Sequence, residues 1–227
     1  MLLPVYSVAM RMSGGADKKQ TDSNESAANS KERIYTSKLT SHVLMKSFHG
    51  FHEALIFREL DKAEKCANIF YETQSQSTTS MSGAMFMREF YFGLVSFWLS
   101  REVEGKNEKK KRLAWLSRGS ESKDALENLA MNASMWNFEN KAFLLQAEEQ
   151  FSKGNFDKAG PLYDAAVSSA KEHKFLNEEA LANELAGHFY LDTGNKVKSI
   201  LYFSQAFQKY SEWGAAVKAN TLTEYLI

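Results

Sequence analysis

The chain has 227 residues, 28 of them basic and 28 acidic, so its formal net charge is zero. That balance argues against nucleic acid as the main partner, because phosphate contacts demand a basic surplus. The single cysteine, Cys66, excludes an internal disulfide and a multi-cysteine metal site. It makes a reducing, cytoplasmic location the default expectation. An apolar content of 44% is enough for a packed core, and only two prolines with abundant Ala, Leu, Glu, Lys and Phe predict a mostly helical chain.

Taken in chain order, Met1 to Met10 is mildly apolar but has no basic leader and contains Pro4, which does not fit a signal peptide. Ser13 to Arg33 is polar and cannot bury enough surface to offset its ordering entropy. A disordered leader is therefore expected over residues 1–33, ahead of a helical domain over residues 34–227. Further polar breaks fall at Thr73 to Ser82 and at Glu104 to Lys111. Between them Ala84 to Leu99 is apolar nearly all round and predicts a buried helix. Its richest part, Phe90 to Leu99, is about half the ~18 residues a membrane span needs. Lys109 to Ser117 and Ser122 to Met131 read as two separate helices, with Ser122 able to cap the second.

Asn140 to Ile227 carries the strongest signal. When Gly154 is laid on Gly194, two segments match with a constant offset of 40 residues. Small residues coincide at Ala147 and Gly187, at Ala159 and Ser199, and at Ala166 and Ala206; aromatics coincide at Tyr163 and Phe203; Gly-Asn coincides at the turn. This is the pattern of an antiparallel helix pair. Small residues on both helices allow close approach, the aromatic fills the space above them, and glycine supplies the left-handed cap that ends the first helix. One pair cannot bury its own apolar faces, so pairs must stack. The repeats fall over residues 140–179 and 180–219. A third candidate pair spans Phe51 to Phe70, with Ala54, Leu60, Ala63 and Ala67 in equivalent places and Arg58 where the turn glycine should be. Pro161 sits where the second helix should already have begun, predicting a late start or a bend. Gly214 is expected to end a helix, and Ala215 to Leu226 to form the last one.

These small, aromatic and glycine positions resemble the tetratricopeptide repeat. That family's usual period is 34 residues, so the extra length is expected in longer second helices and in linkers such as Ser168 to Asn177. A further set of residues is similar to the helical-repeat region of very large signalling ATPases. The set runs from Trp136, Phe138 and Lys141 through Ala182-Asn-Glu184-Leu-Ala-Gly187-His-Phe-Tyr190 to Tyr210, Trp213-Gly214-Ala215 and Lys218. Those proteins join a protein-kinase-like domain, an AAA-type ATPase, a helical-repeat segment, a GAF domain and a histidine kinase or cyclase. The resemblance implies a scaffold between an ATPase and an output domain. No phosphate-binding GxxxxGK[ST] loop and no kinase motif occurs in the chain. The alternative reading is a regulatory segment of a kinase or ATPase enzyme whose catalytic domains lie on another chain or another part of the protein.

Several side chains invite a chemical reading. His49 and His52, three apart with Glu53, have metal-ligand character, against the bland alternative of polar histidines near a helix end. Cys66 reads as a small buried hydrophobe rather than a reactive thiol, since Lys65 lies on another face of its helix. Lys106 to Arg112 reads as a solvated loop and helix start more than as a phosphate patch. His188, with Tyr190 and Asp192 near it, reads as part of a binding face, and a further alternative is a hydrolase that uses His188 or His52. The favoured expectation is an all-α stack of antiparallel helix pairs with no enzymatic activity, no cofactor and no bound metal. It would bind a protein or peptide through a concave face made by the first helices of the pairs. The expected contact residues are Gln146, Gln150, Asn183, His188 and Asp192, each polar and expected to face away from the second helices.

Overall fold

The structure is a computed structural model that describes the backbone of residues 24–75, 85–103 and 108–226 and the side chains of residues 39–74, 86–103 and 108–226. Regular structure among these residues is all helical. In order come α1 (Asn24–Ile56), α2 (Leu60–Ser75), α3 (Met85–Glu102), α4 (Lys109–Asn132), α5 (Met135–Ser152), α6 (Phe156–Glu172), α7 (Leu176–Asp192), α8 (Lys196–Glu212), the short α9 (Ala216–Thr221) and a 3-10 turn at Thr223–Tyr225. The chain divides into two compact units, residues 1–39 and 40–227. The first contributes the beginning of α1, and all packing described below belongs to the second. Of the expected leader, residues 1–23 lie outside the described residues and residues 24–33 form the first turns of α1.

The helices follow one another as antiparallel pairs: α1 with α2, α3 with α4, α5 with α6, and α7 with α8. Four of the connections, after α1, α5, α6 and α7, are three-residue turns of one design, and the same turn leads from α8 into α9. The middle residue is left-handed in every case: Arg58 (φ 59°), Gly154 (79°), Lys174 (62°), Gly194 (81°) and Gly214 (86°). The next amide reaches back to the carbonyl five residues earlier, as in Asn155 to Gln150, Phe175 to Ala170 and Asn195 to Tyr190, at 2.8–2.9 Å. This closure satisfies carbonyls that a helix end leaves open. The four later turns are spaced by 20 residues, so the 40-residue offset is two helices of 17 residues, each followed by its turn. The middle amide bonds its carbonyl at 3.0 Å where glycine stands there, but at 3.3 Å for Arg58 and 3.2 Å for Lys174. A Cβ strains this conformation and the bond lengthens.

Within a pair the small residues act as close-approach points. A Cβ on Gly187 would lie 2.9 Å from the Phe203 ring, and one on Gly119 2.7 Å from the Phe97 ring. The first pair repeats the device: a Cβ on Gly50 would lie 2.6 Å from the Cys66 Sγ, and the rings of Phe51 and Phe70 are in edge contact at 5.2 Å. Arg58 thus occupies the glycine position in the turn of a real helix pair. The second helices, α6 and α8, bury one stripe each: Ala159, Tyr163, Ala166 and Ala170, then Ser199, Phe203, Ala206 and Tyr210. The later first helices, α3, α5 and α7, are far more enclosed, α7 without a break from Glu179 to Gly187. They form an inner layer in which α3 touches α5 and α5 touches α7, and each also meets the second helix of the pair before it.

Four expectations require correction. Residues 109–117 and 122–131 form one helix, α4, because Gly119 is not a break but the place where Phe97 packs, and Ser122 does not cap but donates to Glu89 at 2.9 Å. The extra length over 34 residues lies in the helices, and the linker expected at 168–177 shrinks to 173–175. Pro161 neither delays nor ends α6, which begins at Phe156; the proline is exposed, and its cost is the bond it cannot donate to the Asp157 carbonyl. The last helix stops at Thr221 and continues as a single 3-10 turn.

Lys174 occupies a position that suits glycine. Lys174→Gly is expected to stabilise the chain by about 0.5 kcal/mol, the relief of backbone strain exceeding glycine's added freedom in the unfolded state. Urea unfolding of the two forms measures this, and a lower midpoint for the variant would contradict the strain argument.

Candidate functional site

On the inner layer, successive first helices meet and carry apolar and charged side chains into a shared inner surface. Phe48, His52 and Ile56 come from α1, Tyr91, Trp98 and Glu102 from α3, Glu148 from α5, and Leu181, Glu184 and His188 from α7. Two carboxylates in this surface are almost fully buried, and each is met by donors from other helices. Glu148 accepts from the Tyr163 hydroxyl at 2.6 Å and pairs with Arg101 at 2.7 Å. Arg101 in turn lies over the Phe151 ring at 4.3 Å and donates to Ser152 at 3.0 Å. Glu184, 2% exposed, pairs with the Lys218 ammonium of α9 at 2.5 Å and accepts from the Tyr210 hydroxyl of α8 at 2.8 Å. Burial alone would raise the Glu184 carboxyl, but the neighbouring imidazole of His188 and the Lys218 ammonium together hold it below the usual carboxylate range. Burial beside these carboxylates pushes the Tyr163 and Tyr210 hydroxyls well up, so both remain donors.

Next to the Glu184 cluster lies an apolar groove of about 560 Å³. Its walls include His52, Ile56 and Phe57 of α1 and its turn, Met87 and Tyr91 of α3, Leu181 of α7, and Trp213, Val217 and Lys218 around the α8–α9 turn. Phe57, Trp213 and Val217 are 41%, 54% and 73% exposed, so the groove opens to solvent. The His52 ring lies 4.0 Å from that of Tyr91 and stacks on Phe48 at 5.9 Å. Burial, aided by His49, lowers the His52 pKa to about 4. At neutral pH the walls carry one charge, Lys218, already neutralised by Glu184.

The expected contact residues do not come together on one face. Gln146 donates to Glu127 of α4 at 2.8 Å, and the Gln150 side-chain carbonyl accepts from Asn155 at 2.9 Å. Asn183 has no exposed surface and donates to the Glu179 carbonyl at 2.7 Å. His188 is turned toward the second helix and the C-terminus, its ring 4.9 Å from that of Phe203 and 5.3 Å from that of Tyr225. Only Asp192 is exposed. The orientation expected of Asn183 and His188 is thus not the one found. The expectation considered only the partner helix of the same pair, whereas a first helix is enclosed by two second helices and by its neighbours in the inner layer.

The residues that build the surface were in large part passed over. Arg58, Trp98, Glu148 and Glu184 carried no functional expectation. The signal for the two carboxylates was an acidic residue close to apolar ones in the first helix of a pair, Glu184 ahead of Leu185-Ala186 and Glu148 after Leu144-Leu145 and Ala147. Glu184 meets Tyr210 and Lys218, and Trp213 to Ala215 line the groove. His49 and His52 are on α1, and among the described residues no group of three or more His, Cys, Asp or Glu side chains is placed to share a metal ion. No helix among the described residues is long and apolar enough to cross a membrane. Comparison with protein-family models, with curated proteins and with solved structures gives no match.

The low pKa of His52 makes the groove pH-sensitive in a defined direction. Below 6.5 the unfolded chain takes up a proton at His52 that the folded chain refuses until about pH 4, so stability is complete above 6.5 and falls across that window. The loss amounts to at most about 3 kcal/mol. His52→Phe, which keeps a ring against Tyr91 and Phe48, is expected to flatten the fall in melting temperature between pH 6.5 and 4. Superimposable pH profiles for the two forms would contradict this.

Proposed function

We propose that the chain is a non-catalytic protein–protein interaction module that receives an apolar segment of a partner protein in the groove between α1, α3, α7 and α9. The observation that carries this reading is the groove itself: its size is that of a binding site, its walls are aromatic and aliphatic, and four of its large apolar side chains face solvent. Charge decides the class of partner surface. A charged group entering would be desolvated without a counter-ion, since His52 is neutral and Lys218 is already paired, whereas an apolar side chain loses nothing. The stack of helix pairs supports a scaffold role, because such pairs set out an extended binding surface on a rigid frame. The tetratricopeptide-like spacing and the motif around Glu184 and Lys218 support reading this module as a cytoplasmic part of an ATP-dependent signalling protein or a derivative of one.

The test is capture by the full chain from lysate, run beside the double variant Phe57→Asp, Val217→Asp. Both positions are exposed, so the variant is expected to keep its helical circular dichroism and its melting temperature. The unaltered chain should retain a stoichiometric partner and the variant should lose it at least tenfold. A chain that retains no stoichiometric partner, or a variant that retains it equally, would overturn the reading.

A further inference from the structure

Two polar groups on the groove wall have no partner within the protein. His52 of α1 and Tyr91 of α3 line the same cavity, and their ring centroids are 4.0 Å apart. Among the described residues no hydrogen bond reaches the His52 ring or the Tyr91 hydroxyl. Neither is one of the fully enclosed polar atoms that lack a partner, so both still meet the solvent that fills the groove. The other polar side chains of the wall are differently placed. Tyr210 and Lys218 donate to Glu184, and Asn177, in the first turn of α7, is half-buried. The apolar wall residues differ in depth as well: Leu181 is buried with Tyr91, whereas Phe57, Trp213 and Val217 are exposed and form the rim.

Both groups are uncharged at neutral pH. Burial lowers the His52 pKa to about 4, and burial with Glu178 nearby raises that of Tyr91 to about 12. A neutral imidazole keeps one nitrogen with a free lone pair in either tautomer, and a phenol keeps a proton to give. The deep part of the groove therefore presents an acceptor and a donor side by side among apolar walls. A purely apolar side chain seated there would strip water from both groups and return no bond. An indole can donate but not accept, which leaves the Tyr91 proton unmatched. A carboxamide can do both but brings no apolar surface. A carboxylate would find Lys218 already paired with Glu184. A phenol donates, accepts and carries an apolar ring.

We infer that the partner segment received by the groove is anchored by a tyrosine side chain, whose hydroxyl donates to the free nitrogen of His52 and accepts from the Tyr91 hydroxyl. This rests on the groove being the binding face, as proposed above, and names the side chain that the groove selects. His52 and Tyr91 are then the residues that set specificity, because a site built to hydrogen-bond a hydroxyl rejects the analogue that lacks it. The rim of Phe57, Trp213 and Val217 adds apolar contact without distinguishing one apolar side chain from another.

The test titrates the full chain with p-cresol, which is the tyrosine side chain alone, beside 4-methylanisole, p-xylene and indole, and follows the His52 ring and Trp213 indole resonances. p-Cresol is expected to bind saturably and to shift the His52 resonances. Its affinity should be about tenfold above that of 4-methylanisole, which cannot donate, and of p-xylene, which can neither donate nor accept. Tyr91→Phe removes one oxygen and His52→Phe the acceptor nitrogen. Each should bring p-cresol down to the level of p-xylene while p-xylene binding persists, which separates a lost hydrogen bond from a lost fold. No saturable binding of p-cresol, equal binding of p-cresol and p-xylene, or p-cresol binding unchanged in both variants would overturn the inference, as would indole binding more tightly than p-cresol. Capture from lysate tests the groove reading separately: a partner retained through Phe57 and Val217, with no preference for p-cresol, overturns the tyrosine anchor alone.

Discussion

A carboxylate shut away from water has to be met by donors from the protein itself, and Glu184 is met from two other helices. Tyr210 reaches it from α8 and Lys218 from α9. Because α9 is only six residues long, it has little apolar surface with which to hold its place. The ion pair fixes where Lys218 must lie, and with it the position of Trp213 to Val217 on the groove wall. Glu148 does the same work one pair earlier, joining α3 to α6 through Arg101 and Tyr163. Such pairs are poor sources of net stability, since desolvation consumes most of the attraction. What they supply here is placement: each carboxylate accepts only the arrangement in which its donors arrive.

The turn sets the frame in which those donors can arrive. A three-residue left-handed turn brings the next helix back antiparallel at close range, and the 20-residue spacing repeats the geometry from α5 to α9. Small residues opposite large rings then set the distance between the helices of a pair, with Gly187 under Phe203 and Gly119 under Phe97. Arg58 follows from the same frame. In a turn where glycine would relieve strain, its side chain is carried onto the inner face, where a glycine would leave Trp98 uncovered.

The pairing of helices could be read from residues because its causes are local. Gly154 and Gly194 announce the turn, and Ala147, Tyr163, Gly187 and Phe203 announce the contact. Lys174 hid the true period, since a lysine gives no sign that it will take a glycine's conformation. Gly119, between the two helices expected there, shows the opposite: a glycine in mid-helix makes room for a ring, that of Phe97. The site was harder to read because it joins distant residues. Nothing local tells Glu184 that Lys218 will meet it, or tells Arg58 that its guanidinium will lie over Trp98. Asn183 shows the cost of considering one helix pair alone, for it has no exposed surface and turns back to the Glu179 carbonyl of its own helix.

The central claim, that the Glu184–Lys218 contact places α9 rather than adding stability, is most directly measured by a double-mutant cycle on unfolding. Lys218→Met leaves a buried carboxylate short of its main donor and should cost about 3 kcal/mol. Adding Glu184→Leu removes the stranded charge, and the double variant should recover more than half of that loss while the groove-wall Trp213 becomes more mobile by fluorescence anisotropy. If the double variant recovers none of that loss, or Trp213 stays as ordered as before, the account is wrong.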